Sequence, residues 1–409
     1  MVLGEVFRPA GPIDRQDLFK GRLEQLARVN AVVHEVSRHG LIYGERGVGK
    51  TSLAAVSIEL CGNWMVAMRL NCDAGDTYAT IWEKVIEKLI VIAESGRNDE
   101  AILRPKIEKA IEILHYDETG PGRVAQALQV IGTVAPVVIF IDEFDRVQDH
   151  ASRMLFADTI KTLSDDLAKA TLILVGVADD VESLLGEHGS IVRNLKQIRM
   201  PRMQNDEIHD IIEAGFDAVD LKCSPEIMHL LVHLPQGLPA YAHQLAQSAA
   251  ERAIIQSQDV VMADDVKYAI AESIQSADES MTRAYLSATT SAQHSLFEQV
   301  LLAASLAPVD ATGYFAPADL RDPLRQLTSA EWSIDKFSRH LVQFCEERGP
   351  MLERRGGERK WRYRFMEPMM RPYIIMRAVA SGVSLNVLSL APPTEQGRLF
   401  SLSDSASEL

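Results

Sequence analysis

Two short segments of the sequence carry residues whose types and spacing suit phosphate chemistry. Residues 44–52 follow an apolar run and precede a helical pattern, and they match the spacing GxxxxGK[ST]. Glycines let successive backbone N–H groups point at phosphate oxygens, and a lysine reaches the β- and γ-phosphates while the next hydroxyl ligates Mg²⁺. The segment predicts a nucleotide site made of Gly44, Glu45, Arg46, Gly47, Val48, Gly49, Lys50, Thr51 and Ser52, with Thr51 on the metal.

A pair of acidic residues follows a second apolar run further along the chain. Residues 137–141 are Val-Val-Ile-Phe-Ile, and Asp142 and Glu143 come directly after them. The carboxyl ends of buried parallel strands are where open α/β sheets bind ligands. Asp142 is therefore expected to hold Mg²⁺, and Glu143 to polarise the water that attacks the γ-phosphorus. A glutamate in this position favours hydrolysis over binding alone.

Hydrolysis also requires positive charge on the γ-phosphate in the transition state, which an arginine of a neighbouring subunit commonly supplies. Arg193, between the fourth and fifth predicted strands, is the candidate for this catalytic role. Arg199 and Arg202 are alternatives, and any of the three could simply be a solvated surface arginine. Asp179, just past the fourth strand, is a candidate polar sensor of the γ-phosphate.

The composition is that of an ordinary globular protein with a strongly acidic balance. The chain has 409 residues, 47% of them hydrophobic, and its 42 basic and 57 acidic residues give a net charge of −15. Such a chain can contact nucleic acid only through a local basic patch. Its four cysteines lie far apart, the N-terminus lacks a signal-peptide pattern, and the apolar runs are too short to span a bilayer. We therefore expect a cytoplasmic protein with no membrane partner.

The elements that position these residues alternate between helical periodicity and apolar runs, which predicts an α/β fold. The first part is expected to be a three-layer P-loop NTPase core with a parallel sheet, followed by a helical lid and a winged helix-turn-helix domain. The predicted strands are residues 39–43, 65–70, 137–141, 172–177 and 197–200. The predicted domains are the core at 1–204, the lid at 205–290 with only helical patterns, the winged helix at 291–385 and a disordered tail at 386–409.

The winged-helix prediction rests on three helical patterns followed by two short strands around Gly356-Gly357. From residue 346 to residue 364 there are seven basic and four acidic residues, a local charge of +3 in an acidic chain. This contrast favours contact with DNA phosphates, whereas the alternative is that the same domain binds a partner protein. The candidate DNA contacts are Lys336, Arg339, His340, Gln343, Arg359 and Arg362.

Together these features resemble the AAA+ class of P-loop ATPases, in particular the branch with replication-initiator (origin-recognition-like) ATPases and STAND signalling ATPases. The further segments that carry the resemblance are Phe19-Lys20-Gly21-Arg22, Asp142-Glu143-Phe144-Asp145 and Gly237-Leu238-Pro239. The resemblance implies ATP and Mg²⁺ as cofactors. A homo-oligomer is one candidate assembly, and the sequence does not fix the oligomeric state. One departure is His243, which stands where the lid helix of AAA+ proteins commonly has an arginine.

The sequence thus predicts an ATPase, slow or partner-stimulated, that works as a molecular switch. Its nucleotide state would control how the winged helix meets DNA or a protein partner. The alternative is a STAND-like scaffold that assembles when ATP replaces ADP and hydrolyses it negligibly.

Overall fold

The computed structural model describes residues 3–9, 11–12, 19–95, 100–115, 119–178, 193–290, 296–310, 312–357, 360–385 and 388. The chain divides into two compact units. The sheet unit comprises Pro12–Pro201, and the helical unit comprises Met1–Gly11 together with Arg202–Leu409. The predicted tail at 386–409 lies outside the described residues apart from Leu388.

The helices and strands are numbered here in chain order. The α-helices are α1 Leu3–Val6, α2 Leu23–His34, α3 Lys50–Cys61, α4 Tyr78–Ala93, α5 Glu100–His115, α6 Pro121–Gly132, α7 His150–Asp165, α8 Asn205–Asp217, α9 Pro225–His233, α10 Pro239–Ile255, α11 Ala263–Gln275, α12 Glu279–Thr289, α13 Phe297–Leu306, α14 Arg321–Thr328, α15 Ile334–Cys345 and α16 Met370–Ala380. The strands are β1 His39–Tyr43, β2 Val66–Asn71, β3 Val137–Asp142, β4 Ala170–Gly176, β5 Leu195–Arg199, β6 Lys222–Cys223, β7 Val260–Val261, β8 Leu352–Arg355 and β9 Arg362–Phe365.

The sheet unit is built on a five-stranded sheet in the order β2-β3-β4-β1-β5, and every pairing is parallel. All residues of β3 and β4 are buried, as expected for central strands covered on both faces. Helices flank the sheet in two groups: α2 and α3 contact each other, and α4–α7 pack in sequence. The predicted three-layer α/β class and its five strands are confirmed.

A hydrophobic core joins α4–α7 to the sheet. Tyr78 and Trp82 on α4 lie against Phe156 on α7, with ring centroids 4.9 Å and 6.2 Å apart. The chain between the phosphate loop and the acid pair is long because it contains α4, α5 and α6, which complete this layer. Consequently β3, which carries the acid pair, is fixed between buried neighbours.

The first long helix begins later than its periodicity predicts. Apolar spacing predicts helix from residue 18, but α2 begins at Leu23. Gly21 and Arg22 have φ of 67° and 58°, left-handed values that a helix does not contain. Arg22 instead adopts a conformation in which its side chain binds elsewhere in the unit, as described below.

The helical unit departs from its predicted all-helical lid in one respect. Lys222–Cys223 and Val260–Val261 form a two-stranded parallel pair, β6 with β7, within the stretch predicted to be purely helical. Strands of two residues carry no readable period, because alternation needs several residues to be visible. The pair joins the loop before α9 to the loop before α11.

The C-terminal part of the helical unit has the predicted order of helices followed by a hairpin. α13, α14 and α15 precede the antiparallel hairpin β8–β9, and Phe315 pairs with Tyr363 as a further bridge on its edge. This part is packed onto the preceding helices: Tyr241 donates from its hydroxyl to the Met369 carbonyl at 3.2 Å. Across the described residues, no helix has the length and apolar character needed to cross a membrane.

Candidate functional site

The phosphate loop connects the carboxyl end of β1 to the first turn of α3. Gly44 has φ of +154°, and a Cβ there would lie 2.4 Å from the Met200 carbonyl oxygen, so the close approach to the end of β5 requires glycine. Gly49 precedes α3 with φ of 93°. The backbone therefore turns sharply into a helix N-terminus, where free N–H groups favour anions.

Lys50 is buried at the start of α3, with 9% of its surface exposed. Its Nζ donates hydrogen bonds to the carbonyl oxygens of Gly44 at 3.0 Å and Glu45 at 2.7 Å. Burial lowers the pKa of the Lys50 ammonium to about 8, although Asp145, Asp142 and Glu45 act to raise it. The group still carries its charge at neutral pH and can exchange loop carbonyls for phosphate oxygens.

Asp142, at the end of β3, offers a carboxylate oxygen that nothing in the described chain hydrogen-bonds. It is 2% exposed, and its Oδ1 accepts a hydrogen bond from the Glu143 amide at 2.9 Å. Its Oδ2 accepts none and lies 3.7 Å from Nη1 of Arg69. Burial raises the pKa of Asp142, whereas the Glu143 amide, the Thr51 hydroxyl and Arg69 lower it.

A buried carboxylate oxygen without a donor fits a divalent cation, because such an oxygen is costly to leave unsatisfied and is a preferred ligand of Mg²⁺. The Thr51 hydroxyl is close enough to Asp142 to affect its pKa. These two side chains, predicted from separate motifs, are thus brought together and would hold the metal.

Glu143 is held by an arginine that the motif analysis did not consider. Its backbone is left-handed, with φ of 55°, and its carboxylate is about half exposed. Oε2 pairs with Nη1 of Arg146 at 3.0 Å, and this pair raises the pKa of Arg146. Glu143 must therefore leave Arg146 before its Oε2 can bind a water molecule.

Three further charged residues organise the site. Arg22 is 3% exposed and donates from Nη2 to the carbonyls of Val48, at 3.2 Å, and Pro201, at 2.5 Å. Arg69 on β2 donates to the Thr51 carbonyl at 3.3 Å, and Asp145 accepts from the Val177 amide at 2.8 Å. Arg22 belongs to the Phe19-Lys20-Gly21-Arg22 segment of the sequence analysis. The role of Arg69 follows only from the pairing of β2 with β3, which the sequence does not give.

Arg193 lies just before the start of β5 and Arg199 lies at its end, whereas Arg202 belongs to the helical unit. Arg193 is exposed just before β5, and its carbonyl accepts from Nη1 of Arg38 at 2.6 Å. Because β5 runs parallel to β1, its start lies about 16 Å, five residues of strand rise, from the edge that carries the phosphate loop. Arg199 ends β5 opposite Tyr43, on the loop's own edge, and Arg202 donates to the Gln236 carbonyl. Asp179 lies outside the described residues.

One of the candidate DNA contacts is buried. Lys336 and Arg339 on α15 are exposed and Gln343 is half-buried, but His340 is 4% exposed, which corrects its prediction as a groove-facing residue. His340 shares the face of Phe337 and Phe344 because residues three and four apart lie on one side of a helix. Its ring stands edge-on to Phe297 with centroids 4.8 Å apart, and burial lowers its pKa.

Most hairpin arginines bind groups of the same domain. Arg354 pairs with Glu346 at 2.8 Å, Arg364 with Glu353 at 2.5 Å, and Arg362 with Asp310 at 3.2 Å. Arg348 donates to three backbone carbonyls, of residues 287, 288 and 290. Among the described residues, Arg355 and Lys360 are exposed and make no ion pair, and Arg359 lies outside the described part of the chain.

Comparisons with known proteins agree with this fold. Residues 18–175 match the family model of the AAA ATPase domain. A search of curated protein sequences returns no match. Among solved structures, the Walker-type ATPase of Pyrococcus abyssi is 14% identical with a TM-score of 0.54, covering 90% of this chain and 99% of its own. At this identity the likeness shows the fold alone.

Two further solved structures are similar at lower scores. The ORC2 protein of Aeropyrum pernix is 14% identical, with a TM-score of 0.46 over 94% of this chain and 98% of its own. RuvB of Thermotoga maritima is 15% identical, with a TM-score of 0.45 over 85% of this chain and 95% of its own.

Proposed function

We propose that this chain is an Mg-ATP-binding and hydrolysing molecular switch whose nucleotide state controls its C-terminal domain. One observation carries the proposal: Oδ2 of Asp142, which accepts no hydrogen bond from a described residue, lies at the same site as the phosphate loop that contains Lys50. Lys50 would bind the β- and γ-phosphates, and Thr51 and Asp142 would hold Mg²⁺. When bound, the cation neutralises phosphate charge; Glu143 orients the attacking water and accepts its proton.

Two features support a low basal rate. Glu143 is engaged by Arg146, and Arg193 lies at the sheet edge away from the phosphate loop of its own subunit. Arg193 would therefore act on the nucleotide of a second copy, so that hydrolysis depends on assembly. The same two features favour the alternative of a STAND-like scaffold, in which hydrolysis is negligible and the exchange of ADP for ATP drives assembly.

The proposed output is a winged helix formed by α13–α15 and the β8–β9 hairpin. Within the helical unit this domain is fastened to the preceding helices by the Tyr241 bond to Met369 and by Arg348, whose guanidinium also lies 3.6 Å from the centroid of the Phe297 ring. Movement of the lid would thus carry the winged helix with it. Its exposed basic residues Lys336, Arg339, Arg355 and Lys360 favour DNA phosphates as the contact.

The decisive experiment separates binding from turnover. We expect Lys50→Ala to abolish ATP binding by calorimetry, and Glu143→Gln to retain binding while phosphate release falls by about 10²–10⁴-fold. Lys88→Ala and Glu87→Gln, exposed residues of α4, are the matched controls and should change neither. Normal turnover by the Glu143 variant would remove it from the role of base, and binding by the Lys50 variant would refute the site.

DNA contact is tested by titrating duplex DNA at several salt concentrations with ATP, with ADP and without nucleotide. An affinity that falls with salt and depends on the nucleotide supports the DNA-facing switch. DNA-independent assembly with retained nucleotide and negligible turnover supports the scaffold instead.

A further inference from the structure

Arg69 lies beside the carboxylate that would hold the metal. It belongs to β2, where it pairs in register with Phe140 of β3, and Asn71 of the same strand pairs with Asp142. Nη1 of Arg69 lies 3.7 Å from Oδ2 of Asp142, and the Arg69 side chain is 24% exposed. Because a guanidinium is always charged in proteins, β2 places a permanent positive charge next to this buried oxygen.

Arg69 compensates the charge of Asp142 without using the free oxygen of that carboxylate. Nη1 of Arg69 donates a hydrogen bond to the Thr51 carbonyl at 3.3 Å, which holds the guanidinium against the first turn of α3. Oδ2 of Asp142 accepts no hydrogen bond from a described residue. The oxygen therefore keeps its lone pairs for a ligand, while a positive charge already lies beside it.

The charges around this oxygen act differently on a free cation and on a nucleotide-bound cation. A divalent cation that arrives alone is repelled by Arg69 and by Lys50, whose ammonium is buried at the start of α3. A cation that arrives on a triphosphate brings negative charge with it, and the same two side chains attract that charge. Because salt screens partly buried charges weakly, the difference persists at physiological ionic strength.

We propose that Arg69 determines the form in which this site accepts its metal: it excludes a free divalent cation and admits one that is bound to a nucleoside triphosphate. The nucleotide-free protein then does not capture metal on Asp142, and metal and nucleotide enter together. Arg69 is a specificity-determining residue, because it contacts Asp142 and Thr51 rather than the reacting atoms. The proposal rests on the nucleotide site proposed above.

Two substitutions separate the charge of Arg69 from its hydrogen bond. Arg69→Gln keeps a donor for the Thr51 carbonyl and removes the charge, whereas Arg69→Lys keeps the charge. Arg28→Gln is the matched control, because Arg28 is exposed on α2 and pairs with the exposed Glu24. The double variant Arg69→Gln/Asp142→Asn shows whether metal bound by the single variant uses the Asp142 carboxylate.

The probe is Mn²⁺ alone, which is paramagnetic and takes the same oxygen ligands as Mg²⁺. It is titrated into the full chain without nucleotide, and the electron paramagnetic resonance signal of the free ion measures binding. Circular dichroism checks that each variant is folded. Calorimetry of wild type with Mg-ATP, run in parallel, tests the nucleotide site independently.

We expect wild type, Arg69→Lys and Arg28→Gln to bind Mn²⁺ weakly and alike, and Arg69→Gln to bind it at least about tenfold more tightly. The double variant should lose this gain. A role confined to the hydrogen bond with the Thr51 carbonyl would leave Arg69→Gln like wild type, and that result would overturn the proposal. A gain that survives Asp142→Asn would refute it as well.

Wild type also tests the proposal if Arg69→Gln does not fold. Nucleotide-free wild type that binds Mn²⁺ as tightly as it binds Mg-ATP, in a manner that Asp142→Asn abolishes, would overturn the exclusion of free metal. A wild-type chain that binds no Mg-ATP would instead overturn the proposed function. In that case tighter Mn²⁺ binding by Arg69→Gln would still establish that Arg69 keeps free metal from Asp142.

Discussion

The phosphate-loop side of the five-stranded sheet and the C-terminal hairpin are both rich in charged residues, but these residues have different partners. At the loop edge, Asp142 keeps a buried oxygen without a hydrogen bond, and Lys50 rests on carbonyls that phosphate could replace. In the hairpin, Arg354, Arg362 and Arg364 are paired with acids of their own domain. The first region is arranged for a charged ligand, whereas most charges of the second are already neutralised.

The difference shows that a charged group indicates a ligand when its buried polar atoms lack hydrogen bonds within the described fold. A buried oxygen without a donor is costly, so its persistence indicates a partner outside the chain. Exposed ion pairs are inexpensive to make and are worth little as evidence for binding. The local excess of +3 between residues 346 and 364 therefore overstates the positive surface available to DNA.

The largest expected effect is a loss of ATP affinity at Gly44, where the phosphate loop passes close to the Met200 carbonyl oxygen. A methyl group at Gly44 would meet the Met200 carbonyl oxygen at 2.4 Å and must displace the loop. Strain of about 3 kcal/mol is typical of such a site, and it corresponds to about 100-fold in ATP affinity. Calorimetric titration of Gly44→Ala with Mg-ATP measures this.

The matched control is Gly122→Ala, since a Cβ at Gly122 meets nothing within 4 Å. It should bind as wild type does. Unaltered affinity of Gly44→Ala would mean that the loop does not need its observed path.

We expect the buried Lys50 ammonium to destabilise the folded protein when no nucleotide is bound. Burial lowers its pKa from 10.5 to about 8, so the unfolded chain holds this proton more tightly, and the free energy of unfolding rises with pH between those values. Below pH 8 the buried charge lowers the free energy of unfolding by its full amount, about 3 kcal/mol. Lys50→Met should therefore be more stable than wild type at pH 7 by about 2–3 kcal/mol while binding no ATP.

Urea unfolding at pH 7 and pH 9.5 tests the sign of this effect. The advantage of the methionine variant should shrink as pH rises through the interval. A variant less stable than wild type at pH 7 would show that the carbonyl hydrogen bonds outweigh the burial of the charge.

The five-stranded sheet and the phosphate loop were predictable because both depend on local patterns. β3 and β4 are continuous apolar runs, and the loop's residue spacing is fixed by the geometry of phosphate. Arg69 and Arg146 could not be predicted, because their roles depend on which strands and side chains become neighbours. Helical periodicity indicates the burial of His340, because it follows the buried Phe337 by three residues, whereas its polar side chain suggested a solvent-facing position.

The sequence does not predict the elements that are too short to show the hydrophobic periodicity of a helix or a strand. The pair β6–β7 has two residues in each strand, and α1 has four. The contact of the Phe7 ring with Gly215 joins positions far apart in the chain, and neither residue type alone indicates it. Tertiary packing decides such elements, and propensity does not.

A smaller effect, on stability, distinguishes an arginine that binds groups within the C-terminal domain from one on its surface. Arg348 donates to three carbonyls and its guanidinium lies 3.6 Å from the Phe297 ring centroid, so Arg348→Ala should destabilise the protein by about 2 kcal/mol. Arg325, exposed and paired only with the exposed acids Asp322 and Glu331, is the control and should cost less than about 1 kcal/mol as Ala. Thermal unfolding of both variants decides whether Arg348 fastens the domain or is a solvated surface group.

The smallest expected effect lies at Arg355, which is exposed beside the hairpin turn and makes no ion pair with a described residue. Arg355→Ala should leave stability within about 0.5 kcal/mol of wild type and reduce the salt dependence of DNA binding by about one phosphate contact. Arg354→Ala is the matched neighbour: because its charge is already satisfied by Glu346, it should change the salt dependence less. Equal effects from both would mean that DNA competes successfully for the paired arginines, and the hairpin would then be a ligand surface of the same kind as the phosphate loop.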